Sequence, residues 1–198
     1  MNLPYVFLDA GHGINTAGKR SPRFGDKKDY MLEYEFNISL CIMLYKLLRD
    51  NKIDAQFSSN DLTDLPLKDR INHINKENKI NMIKYKSIMV SIHANAFGDG
   101  KTFNEADGIE ILYNPNNVED LRLSNTIHKE MLIIPNLKSR GLKHRSNLAL
   151  LNSLTIPATL IECGFMTNKK DLEKLLSYEY KLNLAHAIVN GIKNYYEI

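Results

Sequence analysis

Short apolar runs alternate along the chain with longer segments in which apolar residues recur at helical spacing. The runs predict strands at 5–10, 53–58, 86–94, 108–114 and 158–163. Most of these runs lack an alternating polar position, which is typical of strands buried on both faces of a sheet. The amphipathic segments predict helices over 34–50, 66–84 and 118–133, and a final pair of helices within 171–196.

This alternation favours a single α/β domain over residues 1–198. We expect a twisted, mostly parallel central sheet of about five to six strands with helices on both faces. Neither a repeat nor a linker divides the chain. Two long polar loops, 13–32 and 95–107, interrupt the pattern, and loops of this length are often functional.

Composition narrows the class of protein. The chain is 43% hydrophobic, as expected of a domain with a core, and its net charge of +3 is scattered, which gives nucleic-acid binding little support. The N-terminus lacks a signal-peptide pattern and no apolar run is long enough to span a bilayer, so we expect synthesis in the cytoplasm and no membrane partner. Cys41 and Cys163 form no CxxC pair, and we interpret both as small core residues.

Residues able to bind metal or to move a proton stand where predicted strands end. His12 follows the first strand, His93 ends the third, Glu162 ends the last, and Glu33 comes just before the helix over 34–50. The carboxyl ends of parallel strands form the ligand-binding edge of such sheets. Two histidines and a carboxylate could hold Zn²⁺ with one position open for water, and a second carboxylate could serve as general base and acid. The glycines on either side of His12 suggest that an ion lies close to the backbone there.

A single histidine at a strand end is more often an ordinary surface or core residue than a ligand, so this interpretation depends on the combination. The other four histidines carry no assigned role. His73, His128 and His186 fall within predicted helices, and His144 falls in a predicted loop.

Four segments of the chain resemble one known family. "LDAGHG…GKRSP", "EYEFNISL", "VSIHANAF" and "PATLIECGFMTNKKD" are similar to motifs of the zinc-dependent N-acetylmuramoyl-L-alanine amidases of the Amidase_3 type, which include bacterial cell-wall amidases and phage lysins. The motifs occur in the family's order over nearly the whole chain. The resemblance implies the family's phosphorylase/hydrolase-like fold. The forms of "EYEFNISL" and "LALLNSLTIPATLIE" are most similar to the phage-lysin branch.

The resemblance also implies a role for each matching residue. His12, Glu33 and His93 fall on the family's zinc ligands, and Glu162 falls on its catalytic glutamate. Aligning "EYEFN" on its asparagine selects Glu33 as the ligand, although Glu35, two residues later, stays open as an alternative.

Two further residues are candidates for binding the substrate. Asn95, beside the metal strand, could form a hydrogen bond with it. Arg20 belongs to the basic loop 18–28, which could attract anionic wall polymer or peptide carboxylates.

The implied activity is zinc-dependent hydrolysis of the amide between N-acetylmuramic acid and L-alanine of the peptidoglycan stem peptide. We expect a monomer acting on the cell wall as a phage lysin, released through holin-type lesions, with an exported bacterial enzyme left open. A zinc peptidoglycan carboxypeptidase or endopeptidase is one alternative, although a helical H-E-x-x-H motif is missing. A non-catalytic wall-binding pseudo-enzyme is the other.

Overall fold

Six strands form one sheet in the computed structural model, which describes residues 3–25, 29–59 and 62–198. They are β1 (Leu3–Ala10), β2 (Asp54–Phe57), β3 (Tyr85–Asn95), β4 (Ile109–Tyr113), β5 (Ser139–His144) and β6 (Ala158–Phe165). Their order across the sheet is β2-β1-β3-β6-β4-β5. The first four in this order run parallel, whereas β4 and β5 are parallel to each other and antiparallel to β6.

Helices cover both faces of this sheet. They are α1 (Glu33–Asp50), α2 (Leu67–Asn81), α3 (Val118–Met131), α4 (Ala149–Asn152), α5 (Lys169–Leu176) and α6 (Tyr178–Tyr196). One face is covered by α1, α3, α5 and α6, and the other by α2 and α4. Among the described helices, none is both long enough and apolar enough to cross a bilayer.

The larger core lies between the sheet and the four-helix face. Val90 of β3 and Ile161 of β6 point into it, and Cys41 and Cys163 are buried there without a disulfide, as predicted. Helices α3 and α6 approach each other closely at Gly191, which has no side chain. A Cβ built there would lie 2.4 Å from the Cα of Ile127. Seventeen Val, Leu, Ile and Met side chains of this core are fully buried, and each contributes on the order of 1.5–3 kcal/mol relative to exposure.

The smaller core lies under α2 and α4 and includes Phe7, Met89, Leu151 and Leu160. It covers only the middle of the sheet. Further along the same face, towards the carboxyl ends of β1, β3 and β6, the side chains on this face of the sheet are polar. This uncovered edge of the second face is where the candidate site lies.

The predicted fold class is confirmed, with three differences in detail. The strand β5 was not predicted because "SRGLKH" is polar and lies at the sheet edge, paired only with β4; His144 therefore ends a strand and does not lie in a loop. The short helix α4 was also not predicted. Strand β6 continues to Phe165, so Glu162 lies inside the strand and not at its end. Residues 26–28 of the basic loop 18–28 lie outside the described residues.

Candidate metal centre and active site

Three side chains from three different elements converge at the uncovered edge. Nε2 of His12 lies 3.4 Å from Oε2 of Glu33, and Nδ1 of His93 lies 3.0 Å from Oε1 of the same carboxylate. The two imidazole rings are perpendicular, with their centroids 5.1 Å apart. One ligand atom from each residue lies within 4.8 Å of the other two. This arrangement could hold a metal ion.

Glu33 is the first residue of α1, and the local structure explains why its side chain points inward. Its backbone N–H, which has no partner within the helix, donates to the carbonyl of Lys19 in the long loop. Its carboxylate also accepts a hydrogen bond from the N–H of Ala94 at 3.3 Å. Glu35 is two residues further on, about 200° around the helix axis, and is exposed. The structure thus brings Glu33, and not Glu35, into the cluster.

The glycines around His12 have a different purpose from the one inferred from the sequence. A Cβ on Gly11 would lie 2.1 Å from Cε1 of His93, and a Cβ on Gly13 would lie 2.1 Å from the backbone N of Asp64. The space that each glycine leaves is therefore occupied by the protein itself, and the interpretation that the glycines make room for an ion is wrong. His12 has a φ of 64°, in the left-handed region.

The charges within the cluster favour a cation. Burial alone raises the pKa of Glu33, but the hydrogen bond with His93 and the charges of His93 and His12 outweigh it, and the net pKa is lowered. Burial lowers the pKa of His93, but Glu33, Glu162 and Asp9 together raise it. The pKa of His12 is lowered, mainly by burial. A buried, ionised carboxylate thus lies between two imidazoles.

Glu162 lies beside this cluster, in a row of polar residues across three strands. It pairs with His93 of β3 on one side and with Glu110 of β4 on the other, and directly paired residues share a face of the sheet. Its Oε2 is buried, and no described residue donates a hydrogen bond to it. Burial chiefly, with the negative charges of Glu33 and Glu110, raises the pKa of Glu162 to about 7 against the opposing effect of His93. A carboxyl group of this pKa can both accept and release a proton near neutral pH.

Asn95 lies at the end of β3, next to this row. Its Nδ2 lies 3.5 Å from Oε2 of Glu110, and its Oδ1 accepts a hydrogen bond from the N–H of Ala96 at 2.8 Å. The side chain is therefore held at the edge of the site. Its role in binding a substrate stays a prediction.

Arg20 lies in a groove formed by the two long loops. Its guanidinium stacks over the ring of Tyr30 at 4.8 Å, and Arg23, Lys101 and Phe103 also line this groove. Arg20 pairs with Leu32 in an isolated bridge, immediately before Glu33. None of the contacts among the described residues joins Arg20 to the three-residue cluster, and its substrate-binding role stays a prediction.

The pair formed by Glu110 and Arg140 was not predicted from the sequence. Nε of Arg140 donates to Oε1 of Glu110 at 2.5 Å, and the guanidinium lies 5.3 Å from the ring centroid of Phe165. Glu110 is near the start of β4. Because β4 runs antiparallel to β6, its amino end reaches the edge where the other strands have their carboxyl ends, and no signal in the sequence shows this.

A buried network around Asp9 was missed as well. Ser58 and Ser91 each donate to the carboxylate of Asp9 at 2.6 Å, and Nη1 of Arg70 donates to it at 2.9 Å. Burial raises the pKa of Asp9, but the charge of Arg70 and the two hydroxyl donors lower it overall. A signal was present, because Asp9 is a carboxylate near the end of a buried strand, the same feature that pointed to Glu162.

Comparison with known proteins now identifies the family. A family model described as N-acetylmuramoyl-L-alanine amidase, Amidase_3, matches residues 6–194. The chain belongs to this family. An uncharacterized cell wall amidase of Bacillus anthracis is 30% identical over 97% of the chain, and the N-acetylmuramoyl-L-alanine amidase LytC of Bacillus subtilis is 27% identical over 96%. The chain spans 35% of the length of each of these relatives.

The structure of an N-acetylmuramoyl-L-alanine amidase from Clostridium difficile 630 matches this amidase-family chain over almost its whole length. The TM-score is 0.84 at 31% identity, with 100% of this chain and 98% of the other covered. The six-stranded sheet and its helices are therefore the architecture of amidase catalytic domains.

Proposed function

We propose that this chain is a zinc-dependent peptidoglycan hydrolase that cleaves the amide between N-acetylmuramic acid and L-alanine of the stem peptide. The observation that carries the proposal is the cluster of His12, Glu33 and His93 with Glu162 beside it on the next strand. Support for the bond that is cleaved comes from the family and from relatives named as N-acetylmuramoyl-L-alanine amidases, such as LytC.

The chemistry of the cluster fits zinc. Catalytic zinc sites combine three protein ligands, commonly imidazole nitrogens and a carboxylate, with one open position. Zinc binds such atoms at about 2.0–2.2 Å, so ligand atoms around one ion lie within about 4.4 Å of one another. The atoms here lie within 4.8 Å, and small rotations of the side chains would bring them to one ion. When bound, zinc would supply Lewis acidity that activates a water and polarises the amide carbonyl.

Glu162 would carry the proton transfers. Its unpartnered Oε2 accepts a proton from the attacking water, whose oxygen bonds to the carbonyl carbon. As the carbon–nitrogen bond breaks, Glu162 returns the proton to the leaving nitrogen of L-alanine. A pKa of about 7 suits both steps, because the group is ionised for the first step and remains acidic enough for the second.

Digestion of purified peptidoglycan with the zinc-loaded chain tests the proposal. We expect mass spectrometry to find intact glycan strands together with stem peptides carrying a new free L-alanine amine. His93→Ala should yield neither product. Cuts between amino acids of the stem would favour the endopeptidase or carboxypeptidase alternative. Wall binding without any cleavage would favour the pseudo-enzyme.

We also propose a phage-lysin role within this family, supported by the forms of residues 33–40 and 148–162. The chain should lyse bacteria from within only when a holin opens the inner membrane. Expression in a susceptible host with and without a holin tests this, and lysis that does not depend on the holin would argue against it. We further propose that the chain acts as a monomer, which light scattering would test.

A further inference from the structure

We infer that Asp64 is a positioning residue for the metal ligand His12. The inference rests on the proposed zinc site. The imidazole of His12 has a carboxylate on each side: Nε2 lies 3.4 Å from Oε2 of Glu33, within the cluster, and Nδ1 lies 4.0 Å from Oδ2 of Asp64, outside it. Asp64 thus lies on the ring nitrogen that the metal cluster does not use.

His12 and His93 are held in different ways. His93 lies within the long strand β3, and its ring fills the space over Gly11. His12 lies in a turn with a left-handed backbone, between two glycines. Its ring contacts that of His93 edge-on and lies between the carboxylates of Glu33 and Asp64.

Asp64 is itself held firmly in place. The hydroxyl of Thr16 donates to its Oδ2 at 2.5 Å, and its backbone N–H donates to Oδ1 of Asn15 at 2.7 Å. Thr16 also accepts a hydrogen bond from the N–H of Gly13 at 2.9 Å, which ties Asp64 to the turn that carries His12. The carboxylate of Asp64 is therefore hydrogen-bonded, through Thr16, to the backbone of the turn that carries His12.

A buried charge anchors Asp64 to the sheet. Nη2 of Arg70 lies 3.7 Å from Oδ1 of Asp64, while Nη1 of Arg70 donates to Asp9 at 2.9 Å. Asp9 is fully buried at the end of β1, next to the turn. The chain of contacts runs from the sheet through Arg70 to Asp64, and from Asp64 to His12.

Metal-binding histidines commonly donate their second ring N–H to a carboxylate, which fixes the tautomer and the orientation of the ring. Losing that partner typically costs about 10–100-fold in metal affinity. Asp64→Asn should therefore weaken zinc binding by about that factor, because it removes the negative charge that lies 4.0 Å from Nδ1 of His12. Thr16→Val, which leaves the carboxylate but removes its anchor, should have a smaller effect in the same direction.

Zinc affinity, measured by competition with a chromogenic chelator on the full chain, tests the inference. The matched control is Asp54→Asn, which changes an aspartate on the edge strand β2 that is bonded to Tyr85 and Arg49. We expect Asp54→Asn to leave the affinity unchanged. An Asp64→Asn variant that binds zinc as tightly as the parent would overturn the inference. A parent chain that does not bind zinc, or one whose affinity survives His12→Ala, would instead overturn the proposed function.

A second measurement separates positioning from a general loosening of the loop. Nitrogen–proton NMR of the zinc-loaded chain reports how fast the Nδ1–H of His12 exchanges with solvent. We expect slow exchange in the parent, where Asp64 lies beside this N–H, and faster exchange in Asp64→Asn. If the affinity falls and the exchange rate stays as in the parent, Asp64 supports only the loop, and the inference is wrong.

Discussion

Glu33 and Glu162 are two carboxylates that approach the same histidine, yet their pKa values are shifted in opposite directions. Glu33 lies 3.0 Å from Nδ1 of His93 and accepts a hydrogen bond from the backbone of Ala94, and its pKa is lowered. Glu162 faces His93 across the β3–β6 pair with a buried oxygen that has no partner among the described residues, and its pKa is raised to about 7. Burial raises the pKa of both carboxylates, so burial by itself does not distinguish them.

The difference lies in the donors that surround each group. Hydrogen bonds and positive charge together lower the pKa of Glu33, whereas for Glu162 the charge of His93 is outweighed by burial and by the two carboxylates of Glu33 and Glu110, and no described residue donates to its Oε2. Where two carboxyl groups of one site have different pKa values, the group with the raised pKa commonly transfers protons and the other commonly stays ionised. We infer that Glu33 supplies fixed charge for a cation and that Glu162 exchanges protons.

Glu33→Gln should have the largest effect. It removes the ionised ligand from the cluster, so zinc affinity should fall by more than the roughly 10–100-fold that loss of a supporting residue costs, and turnover should fall with it. Equilibrium dialysis against zinc, followed by a peptidoglycan release assay, measures both. Glu35→Gln is the matched control on the exposed side of the same helical turn and should change neither. Tight zinc binding by Glu33→Gln would contradict the division of roles.

Glu162→Gln should have the second largest effect, and on turnover alone. Loss of a general acid–base group costs about 10²–10⁴-fold in rate. Zinc content should stay at the parent level, because Glu162 is not among the three cluster residues. Release assays together with metal analysis of the same sample separate the two quantities. A variant that loses zinc together with its activity would show that Glu162 is a ligand.

Gly11→Ala should disturb the histidine that both carboxylates approach. The new methyl group would lie 2.1 Å from Cε1 of His93 and displace the ring, so zinc affinity should fall by about 10–100-fold, as for a lost supporting contact. The control is Gly191→Ala at the α3–α6 contact. Overpacking there should lower the free energy of unfolding by about 1–3 kcal/mol and leave zinc affinity unchanged. Equal zinc affinities in the two variants would rule out this role of Gly11.

Substitutions of Glu110 and Arg140 should have the smallest effect, a shift in the pH dependence of kcat/KM. Burial is the main cause of the raised pKa of Glu162, and the charge of Glu110 adds to it, so Glu110→Gln should lower that pKa. Because the base must be ionised to act, the acidic limb of kcat/KM should move to lower pH. Arg140→Gln leaves the charge of Glu110 without its partner and should move the limb to higher pH. Shifts of the same sign in both variants would contradict this explanation.

Much of the site could be found from the sequence because its residues lie at the ends of apolar runs. His12 follows β1, and His93 and Glu162 lie in the carboxyl-terminal halves of β3 and β6; parallel strands bring these ends to one edge. Glu33 was distinguished from Glu35 only by resemblance to the family. The structure supplies the physical reason, since one residue faces the sheet and the other faces solvent.

Other parts of the site depend on pairings between distant segments. Glu110 lies beside Glu162 only because β4 is antiparallel to β6. The hydrophobic pattern of the sequence does not indicate the direction in which a strand runs. Asp64 lies near His12 and belongs to the connection after β2, a strand that ends in no conspicuous side chain, and Arg70 of α2 contacts Asp64. The polar edge strand β5, which carries Arg140, lacks the apolar pattern that indicates a strand.

The sequence by itself determined the alternating α/β architecture and the residue types available for chemistry, because periodicity and motifs are local properties of the chain. Only the tertiary structure decided which carboxylate has partners and which does not. It also decided that the glycines around His12 accommodate the ring of His93 and the backbone near Asp64, and not an ion. These properties depend on close approach between residues far apart in the chain, which no local pattern encodes.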